Sequence, residues 1–181
     1  MKIGKTINEL AQEITRQQET KRDFVASDNA WSMQESEGGN VQAVIGQNGS
    51  GEEFGINDIA HQQIASKLAI PKPYYDRMRE EAPHLLVRNA NHWLENSTSK
   101  RMLRTLDGNL RGVLSDRYRP LDYADTAEAV FPIFSDERLQ LKACDITERK
   151  MYIQAVSPKL EGEVKVGDVV QGGISISNSE V

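Results

Sequence analysis

The chain has 181 residues, of which 38% are hydrophobic, 27% charged and 6% aromatic, and its net charge at pH 7 is −5. This composition excludes an intrinsically disordered chain, and the length suits one domain or one domain with an N-terminal extension. No apolar run approaches the roughly 18 residues of a membrane span, and no signal-peptide core follows Met1, so we expect a cytoplasmic protein without membrane contact.

The first 56 residues predict a helix and a small β layer. A Thr-Ile-Asn-Glu capping box begins an apolar pattern at helical spacing, which predicts a helix over residues 6–20. Residues 23–26 and 41–45 are predicted strands. The glycine-rich segment 46–51 lacks the Gly-Lys-Ser/Thr ending of a phosphate-binding loop, so we interpret it as a hairpin loop.

Residues 57–181 predict an α+β core. Helices should lie on both sides of Pro71. The clearest β-hairpin joins residues 99–106 and 110–115, because Asp107-Gly108 supplies the positive φ angles of a tight turn. A short helix and four strands should follow, over residues 125–134, 139–144, 150–156, 164–170 and 173–178. We therefore predict an α+β fold with a mixed or antiparallel sheet, in which a prominent hairpin packs against helices.

Basic residues are concentrated in one part of this acidic chain. Between Lys67 and Pro120 there are eleven Lys and Arg against six Asp and Glu, a net charge of +5, so the rest of the chain carries −10. Such a distribution raises a local positive potential and is typical of a nucleic-acid or phosphate partner.

The hairpin and the loop after it form the predicted nucleic-acid site. Arginines there would neutralise phosphates, and Tyr118 would stack on a base without reading the sequence. The site residues predicted on this basis are Arg101, Arg104, Arg111, Arg117, Tyr118 and Arg119, with Lys72 and Arg77 as further phosphate contacts from the preceding helix. In the alternative interpretation, Tyr118 packs beneath the next helix and the arginines pair with Asp116, Asp122 and Asp125.

No catalytic signature accompanies the basic region. The single cysteine, Cys144, excludes an internal disulfide, has no histidine beside it, and is expected to pack as a small apolar residue. His92 and Glu95 have helical spacing but lack further metal ligands in register. We therefore predict neither catalysis nor a cofactor, and keep as a minor alternative a magnesium-dependent nuclease using Asp116, Asp122 and Asp125.

Two stretches resemble a family of conserved proteins of unknown function found on phages, prophages and plasmids. They are residues 64–75, with 91–94 further on, and residues 111–122. The tail 172–181 resembles that family's next strand, which further sequence follows in the family. The resemblance covers residues 57–181 and implies an incomplete C-terminal part. The family is in turn remotely similar to phage single-strand annealing proteins of the RecT, Erf and beta type.

The charge pattern and the resemblance predict an oligomeric phage or plasmid protein that binds single-stranded DNA and promotes annealing without covalent catalysis. The alternative is a protein-interaction module that regulates or antagonises host factors. Its working surface would be the acidic part of the chain outside the basic region.

Overall fold

The computed structural model describes residues 4–46, 51–134 and 139–181. The predicted hairpin loop at residues 46–51 lies outside this description, apart from its two end glycines. Within the described residues no helix is long and apolar enough to cross a membrane. The chain divides into two compact units. We call residues 20–118 with Val181 the six-stranded unit, and residues 1–19 with 119–180 the three-stranded unit.

Five helices and nine strands lie within the described residues. The helices are α1 Ile7–Thr20, α2 Asp58–Lys67, α3 Lys72–Glu81, α4 Pro83–Glu95 and α5 Tyr123–Phe134. The strands are β1 Arg22–Ser27, β2 Trp31–Glu35, β3 Val41–Ile45, β4 Glu52–Ile56, β5 Lys100–Leu106, β6 Asn109–Ser115, β7 Gln140–Ile146, β8 Met151–Lys165 and β9 Asp168–Asn178. The arrangement of helices on sheets confirms the predicted α+β class.

The six-stranded unit is a mixed sheet in the order β1-β5-β6-β4-β3-β2, with α2, α3 and α4 in the same unit. Only β4 and β6 pair in parallel. The core joins sheet residues such as Leu103 and Leu110 to helix residues such as Ile64 and Leu86, all of them buried. The sheet thus forms a rigid base for the side chains that follow the β5–β6 hairpin.

The division between units differs from the boundary predicted at residues 56 and 57. Gly55 pairs with Asn109 in the parallel β4–β6 ladder, so the early strands belong to the same sheet as the hairpin. Helix α1 lies almost entirely in the other unit. Local periodicity cannot reveal this arrangement, because strand pairing over some fifty residues leaves no local pattern.

The β5–β6 hairpin confirms the prediction made from Asp-Gly. Asp107 has φ 50° and Gly108 has φ 72°, the pair of positive angles that a two-residue type I′ turn requires. Pairing continues from Leu106 opposite Asn109 to Arg101 opposite Ser115, with one irregularity beside Arg104.

The predicted helices on both sides of Pro71 are confirmed as α2 and α3. Asn57 caps α2, since its side-chain oxygen accepts a hydrogen bond from the Ala60 amide at 2.8 Å. The helix ends through Ala69, whose φ of 55° is left-handed, and the Ile70 amide donates back to the Ala65 carbonyl at 2.9 Å. This reversal starts α3 immediately after Pro71.

In the three-stranded unit, β7, β8 and β9 form an antiparallel sheet. The predicted capping box begins α1: the Thr6 amide donates to Glu9 Oε2 at 2.7 Å, and the Glu9 amide donates to Thr6 Oγ1 at 3.2 Å. The bonds that the Thr6 amide and the Thr6 hydroxyl donate to the Glu9 carboxylate lower its pKa. The core includes Leu10 of α1 and Cys144 of β7. Cys144 is fully buried, as predicted, and burial raises the pKa of its thiol.

The long β8–β9 hairpin corrects one predicted strand. Residues 164–170 are not a single strand, because the chain reverses between Lys165 and Asp168, which pair across a turn. Gly167, with φ 83°, supplies the left-handed position of that turn. The valines before the turn therefore lie on β8 and those after it lie on β9, rather than all on one strand.

Candidate nucleic-acid interface

A tight turn after β6 positions Arg117 and Tyr118. The Tyr118 amide donates to the Ser115 carbonyl at 3.0 Å, and the Arg117 amide donates to Ser115 Oγ at 3.2 Å. The first bond closes a four-residue turn and the second is a side-chain turn typical of serine. Arg117 is consequently exposed, whereas Tyr118 is half-buried.

Arg117 and Tyr118 line an open cavity of about 580 Å³ between the exposed side of α2 and the end of β6, here called the Tyr118 cavity. Helix α2 contributes Gln62, Ser66 and Lys67 to its wall. The cavity therefore combines one aromatic ring, two cationic groups and polar groups that can donate hydrogen bonds. These are the groups that a phosphate-linked base requires from a protein surface.

A second cavity, of about 650 Å³, lies where α2, α3 and α4 meet, and we call it the Trp93 cavity. Tyr74 of α3 and Trp93 of α4 line it and are about half exposed, at 50% and 52%. Trp93 Nε1 donates to Asn89 Oδ1 at 3.1 Å, which orients the indole along its own helix. Large aromatic side chains usually bury most of their surface, so two exposed rings in one cavity are a notable feature.

The two cavities adjoin at Lys67, which lines both. We call the combined surface the Lys67 groove. Among the described residues its cationic side chains are Lys67, Arg101 and Arg117, and its one carboxylate is the Asp28 group that Arg101 neutralises. The groove therefore carries a net positive charge within an acidic protein, and it holds three accessible aromatic rings.

Arg101 is the one hairpin arginine that lines the groove. Its side chain is 22% exposed and contacts the nearly buried Asp28 through Nε, at 3.2 Å from Oδ1, and through Nη2, at 3.3 Å from Oδ2. Ser97 donates a further hydrogen bond to Asp28 at 2.7 Å. Since this pair is bidentate, it holds Arg101 in place and leaves it only in part available to a phosphate.

Two other predicted site residues are buried in the sheet. Arg104 is fully buried, and its Nε lies 2.9 Å from Oδ1 of Asp23 on the neighbouring strand β1. Arg111 is 6% exposed. Neither side chain can reach a nucleic acid at the surface, so the prediction that both arms of the hairpin offer arginines to one face is wrong for these two. The reason is tertiary: Arg104 lies opposite Asp23 in the β1–β5 pairing, and the local sequence does not reveal which strand lies alongside.

The remaining predicted residues lie apart from the groove lining. Lys72 is paired with Asp76, and Arg77 Nε donates to Glu81 at 2.9 Å, a contact that raises the pKa of Arg77. Both pairs follow the helical i, i+4 spacing. Arg119 is exposed but belongs to the three-stranded unit. The structure thus brings together Arg101, Arg117 and Tyr118 from the predicted set.

Sequence reasoning missed Lys67, Tyr74 and Trp93. For the two rings, the helical spacing of the apolar residues could have indicated an exposed position. In α3 the buried residues are Tyr75 and Met78, and Tyr74 lies off that face. In α4 they are Leu86, Ala90 and Leu94, at steps of four, and Trp93 lies off that face.

The acidic residues considered for a nuclease do not form a cluster. Within the part of the chain that the structure describes, no three His, Cys, Asp or Glu side chains are placed to hold a metal ion. Asp116 accepts a hydrogen bond from the neighbouring Ser115 in the six-stranded unit. Asp125 accepts one from the Asp122 amide at the start of α5, in the other unit.

Comparison of the chain with known protein families, with curated proteins and with solved structures finds no match. The geometry of the Lys67 groove is therefore the basis for the functional argument.

Proposed function

We propose that the six-stranded unit binds single-stranded DNA along the Lys67 groove. The observation that carries this proposal is the presence of Tyr74, Trp93 and Tyr118, all at least partly exposed, beside Lys67 and Arg117 in two adjoining cavities. Each ring offers a stacking surface worth about 1–3 kcal/mol per base. The cationic groups supply the phosphate contacts that dominate affinity for nucleic acids.

The aromatic rings favour a single strand over a duplex. In a duplex the base faces are covered by neighbouring bases, so only phosphates and groove edges are available to the protein. Unpaired bases expose their faces and can enter cavities of this size. Stacking on a ring does not discriminate strongly among bases, so we expect this groove to tolerate many sequences.

Annealing and self-association belong to the same proposal. Several subunits along a strand would hold its bases extended and ready to pair, without hydrolysis or a cofactor. The outer edge of β9 supports self-association: among the described residues β9 pairs only with β8, and no charged residue or proline interrupts residues 169–179. Such an edge can pair with an identical edge of a second copy.

A protein-interaction function is the second candidate, and one observation favours it. The distal part of the β8–β9 hairpin exposes apolar side chains that ordinarily seek a partner, namely Leu160, Val164, Val166, Val169 and Val170. The partner that we propose for this surface is again a second copy of the chain. Mass measurement by light scattering across a range of protein concentrations tests this directly.

The proposal is tested by the fluorescence anisotropy of a labelled oligothymidine, alone and as a duplex with its complement, in EDTA and then in magnesium. We expect preference for the single strand, a steep loss of affinity between about 50 mM and about 200 mM salt, and an unchanged oligonucleotide length. Binding should also quench the fluorescence of the exposed Trp93, whereas the buried Trp31 should be quenched little.

Arg117→Ala is the test variant, and Arg77→Ala is its matched control. Both replace an exposed arginine, but only Arg117 lines the groove. Weaker binding by Arg117→Ala alone would support the assignment. Absence of binding at low salt, or an equal loss in the two variants, would overturn it. Shortening of the oligonucleotide in magnesium would indicate a nuclease instead.

A further inference from the structure

A third cavity, of about 650 Å³, lies on the other side of α2 from the Tyr118 cavity. We call it the His61 cavity. Polar groups from four elements line it, including Gln42 of β3, His61 of α2, Arg79 of α3 and Asn109 of β6. Its volume lies within the range of small-molecule sites, about 300–1,000 Å³. The Lys67 groove makes no use of these residues.

His61 is an unusual residue for a cavity wall, because it is only 4% exposed. Its Nδ1 lies 2.8 Å from the hydroxyl of the fully buried Tyr75. Burial, together with a smaller effect of the Arg79 charge, lowers the pKa of His61 to about 4, so the ring is neutral at physiological pH. Burial also raises the pKa of Tyr75, which keeps its proton.

This contact assigns the tautomer of His61. If Nδ1 donated to Tyr75, the hydroxyl proton would be left buried without a described acceptor, at a cost of about 1–3 kcal/mol. We therefore assign the tyrosine hydroxyl as donor and Nδ1 as acceptor, which leaves the proton on Nε2. Within the described residues nothing is bonded to Nε2, so it is available as a donor to a ligand in the cavity.

Arg79 and Asp58 place donors and acceptors side by side at the same cavity. Arg79 Nη1 donates to Asp58 Oδ1 at 2.9 Å, and this pairing lowers the pKa of Asp58. Among the described residues, no hydrogen-bond partner is found for the other N–H groups of Arg79 or for Oδ2 of Asp58. Glu80 adds a second carboxylate, so the cavity carries a net negative charge and does not favour a bare anion.

We propose that the His61 cavity recognises an unstacked guanine base. Guanine presents two acceptors, N7 and O6, next to two donors, the ring N1–H and the N2 amino group. Arg79 and the Nε2 group of His61 match the acceptors, and Asp58 matches the donors. The base is neutral, as the charge of the cavity requires, while Val41, Ile56 and Pro83 supply apolar contacts for its faces.

The guanine has two sources, a free guanine nucleotide or a base of the strand bound by the proposed DNA-binding groove, and only the second rests on the proposed function. Isothermal titration with the 5′-monophosphates of guanosine, adenosine, cytidine and uridine tests the cavity alone, since all four share one phosphate. We expect guanosine monophosphate to bind best, and inorganic phosphate not to bind. Failure of guanosine monophosphate to bind at about 5 mM would overturn the proposal.

An oligothymidine carrying one central guanosine separates the two sources. Tighter binding of this oligonucleotide than of pure oligothymidine would place a base of the strand in the cavity. Equal binding, together with binding of the mononucleotide, would assign the cavity to a free nucleotide. Because pure oligothymidine contains no guanine, loss of its binding concerns the Lys67 groove alone.

Asp58→Asn gives a readout that altered folding would not produce. Asp58 is largely exposed, so the substitution should leave the fold intact. The amide can still accept from N1 but donates where the carboxylate accepted, so it fits the carbonyl that xanthosine carries at position 2. We expect about a tenfold or greater loss for guanosine monophosphate and a gain for xanthosine monophosphate. Glu95→Gln, on exposed α4 surface outside the cavity, is the matched control. Unchanged base preference in Asp58→Asn would contradict the proposal.

Discussion

Arg104, within the β5–β6 hairpin, and Arg117, just after it, have opposite environments. Arg104 is fully buried and paired with Asp23 on the neighbouring strand, whereas Arg117, a few residues beyond the other arm, is exposed at a cavity. A count of charges along the chain treats them alike. The comparison shows that a basic segment contributes to a binding surface only through those side chains that the sheet does not enclose.

The largest expected effect is on stability, and it comes from the buried member of this comparison. Arg104→Ala removes a fully buried side chain together with its hydrogen bond to the more exposed Asp23, so the lost packing and the lost bond should lower the free energy of unfolding by about 2–4 kcal/mol. Urea unfolding measures this loss. Arg117→Ala should change the same quantity by no more than about 0.5 kcal/mol, as is usual at exposed positions. Similar losses in the two variants would contradict the difference in burial between Arg104 and Arg117.

The pH dependence of stability extends the contrast to histidine. The folded pKa of His61, about 4, lies below its unfolded value of about 6.5, so the unfolded state takes up a proton first as the pH falls. The contribution of neutral His61 to the free energy of unfolding should be complete above pH 6.5. It should fall by about 2–3 kcal/mol when the pH reaches 4.5. His61→Gln should remove this part of the slope, while the exposed His84→Gln should keep it. Parallel slopes for all three proteins would contradict the burial argument.

The aromatic residues of the groove provide a second test of the exposed surface. Replacing Trp93 or Tyr118 by alanine should weaken binding of a single-stranded oligonucleotide by about 1–3 kcal/mol each, because each substitution removes the ring on which one base stacks. The free energy of unfolding should change little for the half-exposed Trp93. Anisotropy titrations measure the binding and urea unfolding provides the control. An unaltered dissociation constant in both variants would contradict the proposal that the Lys67 groove binds the strand.

The smallest expected effect separates charge from stacking. Arg117→Ala should reduce the slope of log affinity against log salt by about one unit, the value for a single phosphate contact. The Trp93 and Tyr118 variants should keep the wild-type slope despite weaker binding. Titrations at four or more salt concentrations measure both quantities. A reduced slope in the aromatic variants would mean that the rings position the phosphates.

Local features of the fold were predictable from sequence. The capping box at Thr6, the Asp107-Gly108 turn and the helix break at Pro71 each depend on backbone preferences within a few residues, and all three are confirmed. Strands β2 and β4 were not identified. Both hold their place through pairing, β2 with β3 and β4 with both β3 and β6, and that pairing is not a local property.

The candidate site was predictable only in part, for the same reason. Arg117 and Tyr118 follow a turn that the serine before them specifies locally. Their neighbours Lys67, Tyr74 and Trp93 come from three different helices and meet only after these pack together. The helical period alone could have placed the two rings off the buried faces of α3 and α4, but it could not have joined them to Tyr118.

The α+β class, the prominent hairpin and the concentration of positive charge between Lys67 and Pro120 follow from the amino-acid sequence. The accessibility of each of those charges depends instead on how the strands and helices pack. The burial of Arg104 depends on β1 pairing with β5 across some eighty residues, and the partner Asp23 lies on that strand. Backbone preferences depend on residues that are adjacent in the sequence. The burial of a charged side chain depends on which strands and helices pack beside it.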